Sequence, residues 1–295
     1  MGTGDLLEVG GTYFIFMPSP KTFHSPLSAT PAMLKKITML AATMLASSGA
    51  YAAHPLITDD TGTQGTGKFQ IEITGEFSSD EENVPGTTIK ETGGEIAAAL
   101  SYGISENIDL VVGMPYQWYA VKESGVKVAD GDGIGDMSVE LKWRFLDTGE
   151  EGTSLALKPG ISIPAGSEKE GFGTGAVSGG VMLIATHTGK PGTLHANLGY
   201  SRVGYGTEEN DEVSRNDIWH ASLAGELNMT ETLRAVADIG IGTNGDKSSD
   251  THPAYLIGGV ICSLNDDMEI DLGVKCGLND AETDTAFLAG YTARF

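Results

Sequence analysis

One feature constrains this chain more than any other. From Phe69 to the last residue it alternates apolar and polar side chains, segment after segment. Phe69, Ile71, Ile73 and Phe77 interleave with Gln70, Glu72, Thr74 and Glu76; Ile270, Leu272 and Val274 interleave with Asp271, Gly273 and Lys275. A period of two places successive side chains on opposite faces of a strand. Twelve such segments follow one another, and none reads as a helix. The twelfth keeps its pattern to the end, with Phe287, Ala289, Tyr291, Ala293 and Phe295 on one face. Chain ends fray unless they are tied down, so this strand predicts a partner.

The connections alternate as well. Short ones fall at 103–107, 147–152, 188–192, 228–231 and 265–267, and longer ones at 78–91, 122–133, 165–173, 206–213, 243–252 and 279–284. In a meander of antiparallel neighbours this puts all short turns at one end. Each strand has one apolar face, and no helix is available to cover it. The sheet must therefore fold into a sandwich with apolar faces inward, or close into a barrel with apolar faces toward lipid. Three features favour lipid. The strands run about 9–12 residues, long enough to cross a bilayer when tilted. Aromatics gather near strand ends (Tyr116, Trp118, Trp143, Phe145, Tyr200, Phe295), as in interfacial girdles. Short turns opposite long loops are the usual asymmetry of outer-membrane barrels. The expected fold is all-β: an antiparallel transmembrane β-barrel, an up-and-down meander of about twelve strands, with short periplasmic turns and longer extracellular loops. Strand 12 must then pair with strand 1.

The chain carries a formal net charge of -22, which excludes a nucleic-acid partner, since nothing neutralises phosphates. Its 41 glycines are roughly twice the ~7% average, which suits a sheet that twists and closes. An export signal lies inside the chain. Met33 opens MLKKITMLAATMLASSGAYAAHP, with Lys35 and Lys36, a short apolar run, and an Ala50-Tyr51-Ala52 cleavage site. The expected organisation is an upstream-start extension at 1–32, a signal peptide at 33–52, a periplasmic N-terminal segment at 53–66 and an outer-membrane barrel at 67–295, in a Gram-negative bacterium.

The stretch HPLITDDTGTQGTGKFQIEI at 54–73 resembles the opening of a family of outer-membrane channel proteins linked by name to the phenol meta-degradation pathway. YGISENIDLVVGMPY at 102–116, GIGDMSVELKWRF at 133–145 and GISIPAG at 160–166 fit as well. The resemblance implies an outer-membrane barrel that admits small hydrophobic or aromatic solutes. It supplies no site residues.

No catalytic, cofactor or metal site is expected. DGDGIGD at 130–136 resembles part of a calcium loop, but Leu141 stands where the bidentate acid belongs; a glycine-rich turn re-entering strand 4 is the better reading. The six histidines, at 24, 54, 187, 195, 220 and 252, show no metal-motif spacing, and no G-x-S-x-G nucleophile motif occurs. Cys262 and Cys276 flank a short turn about five residues out of register, too far apart for a disulfide at ~3.3 Å per residue. The acidic clusters Asp80–Glu82, Glu208–Glu212 and Asp280–Asp284 read as solvated loop charge, with a cation-attracting mouth or bridging to lipopolysaccharide as the sharper reading.

The polar faces supply the candidate lumen lining: Glu72, Glu76, Glu140, Lys142, Arg144, Lys158, His195, His220, Glu226, Arg234, Asp238, Asp271 and Lys275. Charges of both signs can pair across a narrow lumen, so a constricted pore is expected. Twelve strands lie between side-chain-filled eight-stranded and open sixteen-stranded barrels. Tyr291 and Phe295 are the expected assembly signature. Partners are outer-membrane lipid and lipopolysaccharide, the barrel-assembly machinery and small-molecule solutes. A structural or adhesive barrel, or an envelope hydrolase on a barrel scaffold, are the alternatives to a channel.

Overall fold

The computed structural model describes residues 54–295. The upstream stretch 1–32 and the export signal at 33–52 lie outside the described residues. Strands β1 (Phe69–Val84), β2 (Thr87–Ser105), β3 (Ile108–Glu123), β4 (Val126–Ile134) and β5 (Met137–Asp147) open the sheet. β6 (Thr153–Ile163), β7 (Ser178–Thr188), β8 (Gly192–Arg202), β9 (Asp217–Asn228), β10 (Leu233–Gly242), β11 (Ala254–Asn265), β12 (Met268–Gly277) and β13 (Thr285–Arg294) complete it. Neighbours in sequence pair antiparallel except β4 with β5, which both pair with β3, and β13 pairs with β1 from Gln70↔Arg294 to Ser79↔Thr285, so the sheet closes. Phe69 and Phe295 exchange backbone hydrogen bonds of 3.0 and 2.8 Å. The terminal residue is thus a rung of the seam.

Thirteen strands make twelve staves, because β4 and β5 share one. β3 pairs with β5 over Ile108–Gly113 and with β4 over Tyr116–Glu123. The long loops expected at 78–91 and 122–133 are largely strand: β1 with β2, and β3 with β4, run as ribbons beyond the rim. Alternation there is blurred by charge, which hides a strand with no lipid face to supply its apolar half. DGDGIGD is likewise mostly β4 rather than a turn. Its last residue, Asp136, accepts bonds from Gly166 N (3.1 Å), Thr174 N (2.8 Å) and Thr174 Oγ1 (3.0 Å). These pin the 164–177 connection to the rim, with Phe172 buried beneath it.

The outer surface decides the solvent. Ile73, Leu100, Leu183, Leu198, Leu223, Leu272 and Phe287 are all exposed, on staves all round the barrel. Water-facing monomers rarely carry an apolar patch above a few hundred Å²; a continuous belt requires lipid. Aromatics sit at both edges of the belt: Phe69, Tyr102, Trp143, Phe145 and Phe295 toward the short turns, and Tyr116, Tyr200 and Trp219 toward the long loops. Cys262 pairs with Ile270 and Cys276 with Leu256, so the two free thiols stand six rungs apart.

At the long-loop end an arginine fastens the 243–252 loop. A short helix, α1 (Glu208–Val213), capped by the Thr207 side chain, precedes Arg215. Arg215 Nη1 donates to the carbonyls of Asn244 (2.9 Å), Ser249 (2.9 Å) and Asp246. Charge-assisted bonds of this kind contribute ~1.5–3 kcal/mol. Arg215→Ala should therefore free the 243–252 loop while the barrel stays folded. Limited trypsin digestion is expected to cut after exposed Lys247 much faster than in the parent protein; unchanged cleavage would show that other contacts hold the loop.

Candidate functional site

The lumen is not empty. Residues 54–62 enter from the short-turn end and cross it, where the sequence places 53–66 as a segment on the periplasmic side of the barrel. The stretch that leads from this segment to β1 is fastened outside: Thr66 donates to Glu106 from its hydroxyl (2.8 Å) and its N–H (3.2 Å), which hold that carboxyl below its usual range. Further in, Gln64 N bonds Asp109 (3.0 Å), and Thr61 bonds Ser154 and Thr186. Asp59, fully buried, sets one oxygen 2.9 Å from Lys142 Nζ and the other 3.0 Å from Lys158 Nζ. Thr58 and Ile57 converge on Asp238, which accepts from Thr58 N (2.8 Å), Thr58 Oγ1 (2.7 Å) and Ile57 N (2.7 Å). Leu56 packs with Ala224, Val236 and Ile261. His54 meets Asp271.

This segment explains two features of the strands. β11 is apolar on both faces, so alternation alone cannot orient it. Ile257 and Ile261 point inward and are buried, because the segment brings Leu56 to meet Ile261. Gly259 and Gly273 face the lumen because Pro55 lies against them: a Cβ at Gly273 would come 2.8 Å from the Pro55 ring. Gly273→Val should therefore lift Pro55 off the wall and loosen the segment without breaking the barrel. The expected result is a partial rise in single-channel conductance with normal heat-modifiable gel migration.

The other inward side chains pair mostly with neighbouring staves rather than across open space. Lys158 also pairs with Glu140 (2.9 Å), and Lys275 with Glu76 (2.9 Å) and Glu282 (3.5 Å). Glu226 meets both His195 (3.3 Å) and Arg234 (3.3 Å), and Arg234 reaches Glu269 (2.7 Å). Glu72 is buried on β1 between Ala99 and Thr292. His220 lies over Gly199, and Tyr255 over Gly240, both flat against the wall because those glycines have no side chain to lift them. Arg144 stands apart at the short-turn end, bonded to the Glu106 carbonyl (3.2 Å). All thirteen residues singled out from the sequence occupy inward positions of their strands. Thr58, Asp59, Asp109, Glu269 and Tyr255 were not among them. The one signal for Asp59 was a pair of acids, Asp59 and Asp60, in a stretch with no strand period.

The segment divides the lumen. Toward the short turns lies a cavity of about 340 Å³ bordered by Glu72, Asp109, Lys142, Glu269 and Asp271. Toward the long loops lies one of about 300 Å³ bordered by Ile57, Met182, Tyr205, His220, Tyr255 and Lys275. Lys158 borders both. Among the described residues no group of three or more His, Cys, Asp or Glu is placed to hold a metal.

A closed barrel with an apolar belt, aromatic edges and a polar, charge-paired lumen defines an outer-membrane β-barrel protein. The chain belongs to the family described as "Putative MetA-pathway of phenol degradation", whose profile matches residues 58–295. Among solved structures it is similar to the COG4313 outer membrane channel from Pseudomonas putida F1, at 12% identity and TM-score 0.60, covering 80% of this chain and 98% of that one. It is also similar to the Ralstonia pickettii toluene transporter TbuX, at 8% identity and TM-score 0.47, covering 78% and 90%. A third is the NanC porin, at 8% identity and TM-score 0.49, covering 76% and 98%. At 12% identity the likeness to the first of these speaks to the fold alone. No curated protein matches the chain in sequence.

Proposed function

We propose that this protein is a passive outer-membrane channel for small hydrophobic or aromatic solutes, exported by a cleaved signal at 33–52. It has no catalytic role in this reading. The observation that carries it is the divided lumen: two cavities, both lined in part by the N-terminal segment, the one toward the long loops bordered by Ile57, Met182, Tyr205 and Tyr255 beside charged side chains. A structural barrel has no use for such cavities, and its core would be filled by wall side chains. Membership of a family named for phenol degradation supports the solute class. The name "outer membrane channel" carried by the structural relative supports passage. Glu72, Glu76, Glu140, Lys142, Arg144, Lys158, His195, His220, Glu226, Arg234, Asp238, Asp271 and Lys275 line the route, and lipid and lipopolysaccharide surround it. Tyr291 and Phe295, on the outward face of the closing strand, serve recognition by the assembly machinery.

The test is uptake of toluene and phenol into proteoliposomes, compared with a disaccharide of similar polarity to porin substrates. Entry of the aromatics without entry of the sugar is the expected result. Equal exclusion of all three would overturn the channel reading, and rapid entry of the sugar would overturn the narrow one.

A further inference from the structure

We infer that Lys142 and Lys158 form a binding site for a small monocarboxylate with an apolar body, and that Asp59 of the N-terminal segment occupies this site in the closed state. Such a ligand competes with Asp59 and favours the segment-out, conducting state. The inference rests on the channel reading above and names a regulator, or substrate, of the same lumen.

The geometry is that of a built anion site. Two ammonium groups on adjacent staves hold the two oxygens of one carboxylate, at 2.9 and 3.0 Å. Their side chains are 9% and 1% exposed. Asp59 is the one ion partner of Lys142 among the described residues. When Asp59 leaves, Lys142 loses its one contact carboxylate, and an anion seated at the same place restores the pairing. Lys158 keeps Glu140 at 2.9 Å, and Glu72 also faces this side of the lumen. The two ammonium groups hold the two oxygens of one carboxylate, so the place that Asp59 vacates fits a single carboxylate. Room for the rest of the ligand lies next to Lys158, in the cavity of about 300 Å³ that carries Met182, Tyr205 and Tyr255. That volume is within the range of small-molecule sites, which are mostly apolar with a few fixed polar groups. Tyr255, flat over Gly240, offers a ring face rather than an edge.

The experiment is single-channel recording of the purified full chain with sodium benzoate, benzyl alcohol, or sodium chloride at matched ionic strength. A ligand that binds only the segment-out state multiplies its odds by one plus concentration over Kd, hence about eleven-fold at ten times Kd. Benzoate is expected to raise the open-to-closed ratio by about that factor, and benzyl alcohol and chloride are expected to leave it unchanged. Lys142→Met should abolish the benzoate response. If benzoate and benzyl alcohol act alike, or if Lys142→Met responds as the parent does, the site does not exist. Should Lys142→Met fail to assemble, the comparison of the two ligands on the parent protein decides alone. A channel that passes toluene into liposomes yet ignores benzoate would sink this inference and leave the channel reading standing.

Discussion

Asp59→Ala is expected to convert a barrel of small conductance into one with large, frequent openings. The reason is a balance between two large quantities. Ordering the backbone of about nine residues inside the lumen costs ~1–2 kcal/mol each. Against this stand the bonds to Asp238 and Asp109, the burial of Pro55 and Leu56, and the ion pairs of Asp59. Removing one partner of a buried ion pair costs ~3–5 kcal/mol, because the remaining charge is stranded. Each ~1.4 kcal/mol is a factor of ten in an equilibrium constant. The segment-in state should therefore lose at least about two orders of magnitude in population. Water can reach the lysines once the segment leaves, so the barrel itself keeps its fold. The readout is planar-bilayer recording, with heat-modifiable migration as the check on folding. A double variant, Asp59→Leu with Lys142→Met, removes both charges of one pair and should regain part of the closed state. Conductance that stays at the parent level in Asp59→Ala would mean that Asp238 and the Leu56 contacts hold the segment without help.

The same residues show why the lumen was only half legible. Inward and outward faces could be read because lipid and a polar interior select opposite side chains at every second position. That rule places Lys142, Lys158, Asp238 and Asp271 without any structure. It says nothing about what they meet. Asp59 lies about eighty residues or more from its two lysines, in a stretch that forms no strand and so has no period to read. The inward Ile261 of β11 breaks the rule for the same cause: its partner is Leu56, a residue outside the barrel wall. The split of one stave into β4 and β5 escaped because strand beyond the rim needs no apolar face. Closure by the last strand was legible because the pattern persists to Phe295, and the seam with β1 is what that persistence requires.

The outward face beside that seam carries the second large effect. Leu272, midway along β12, is 62% exposed on the outward face, opposite Ala289 of β13. A lysine at the bilayer midplane costs ~2–4 kcal/mol in such a barrel, so Leu272→Lys should assemble poorly. Tyr291→Lys, on the same face but nearer the short-turn edge, should suffer less, because the cost falls toward the interface. Deleting Phe295 removes the rung with Phe69 and an aromatic at the lipid boundary, whose burial is worth ~1.5–3 kcal/mol. It too should assemble poorly. Thr292→Lys makes the contrast. Thr292 faces the lumen on the rung shared with Glu72 and Glu269, so a new ammonium there meets two carboxylates instead of lipid. Near-normal assembly is expected, scored as the fraction of heat-modifiable protein in outer-membrane fractions. Normal assembly of Leu272→Lys together with loss of Thr292→Lys would exchange the two faces of the sheet, and the apolar belt would then have to be a core.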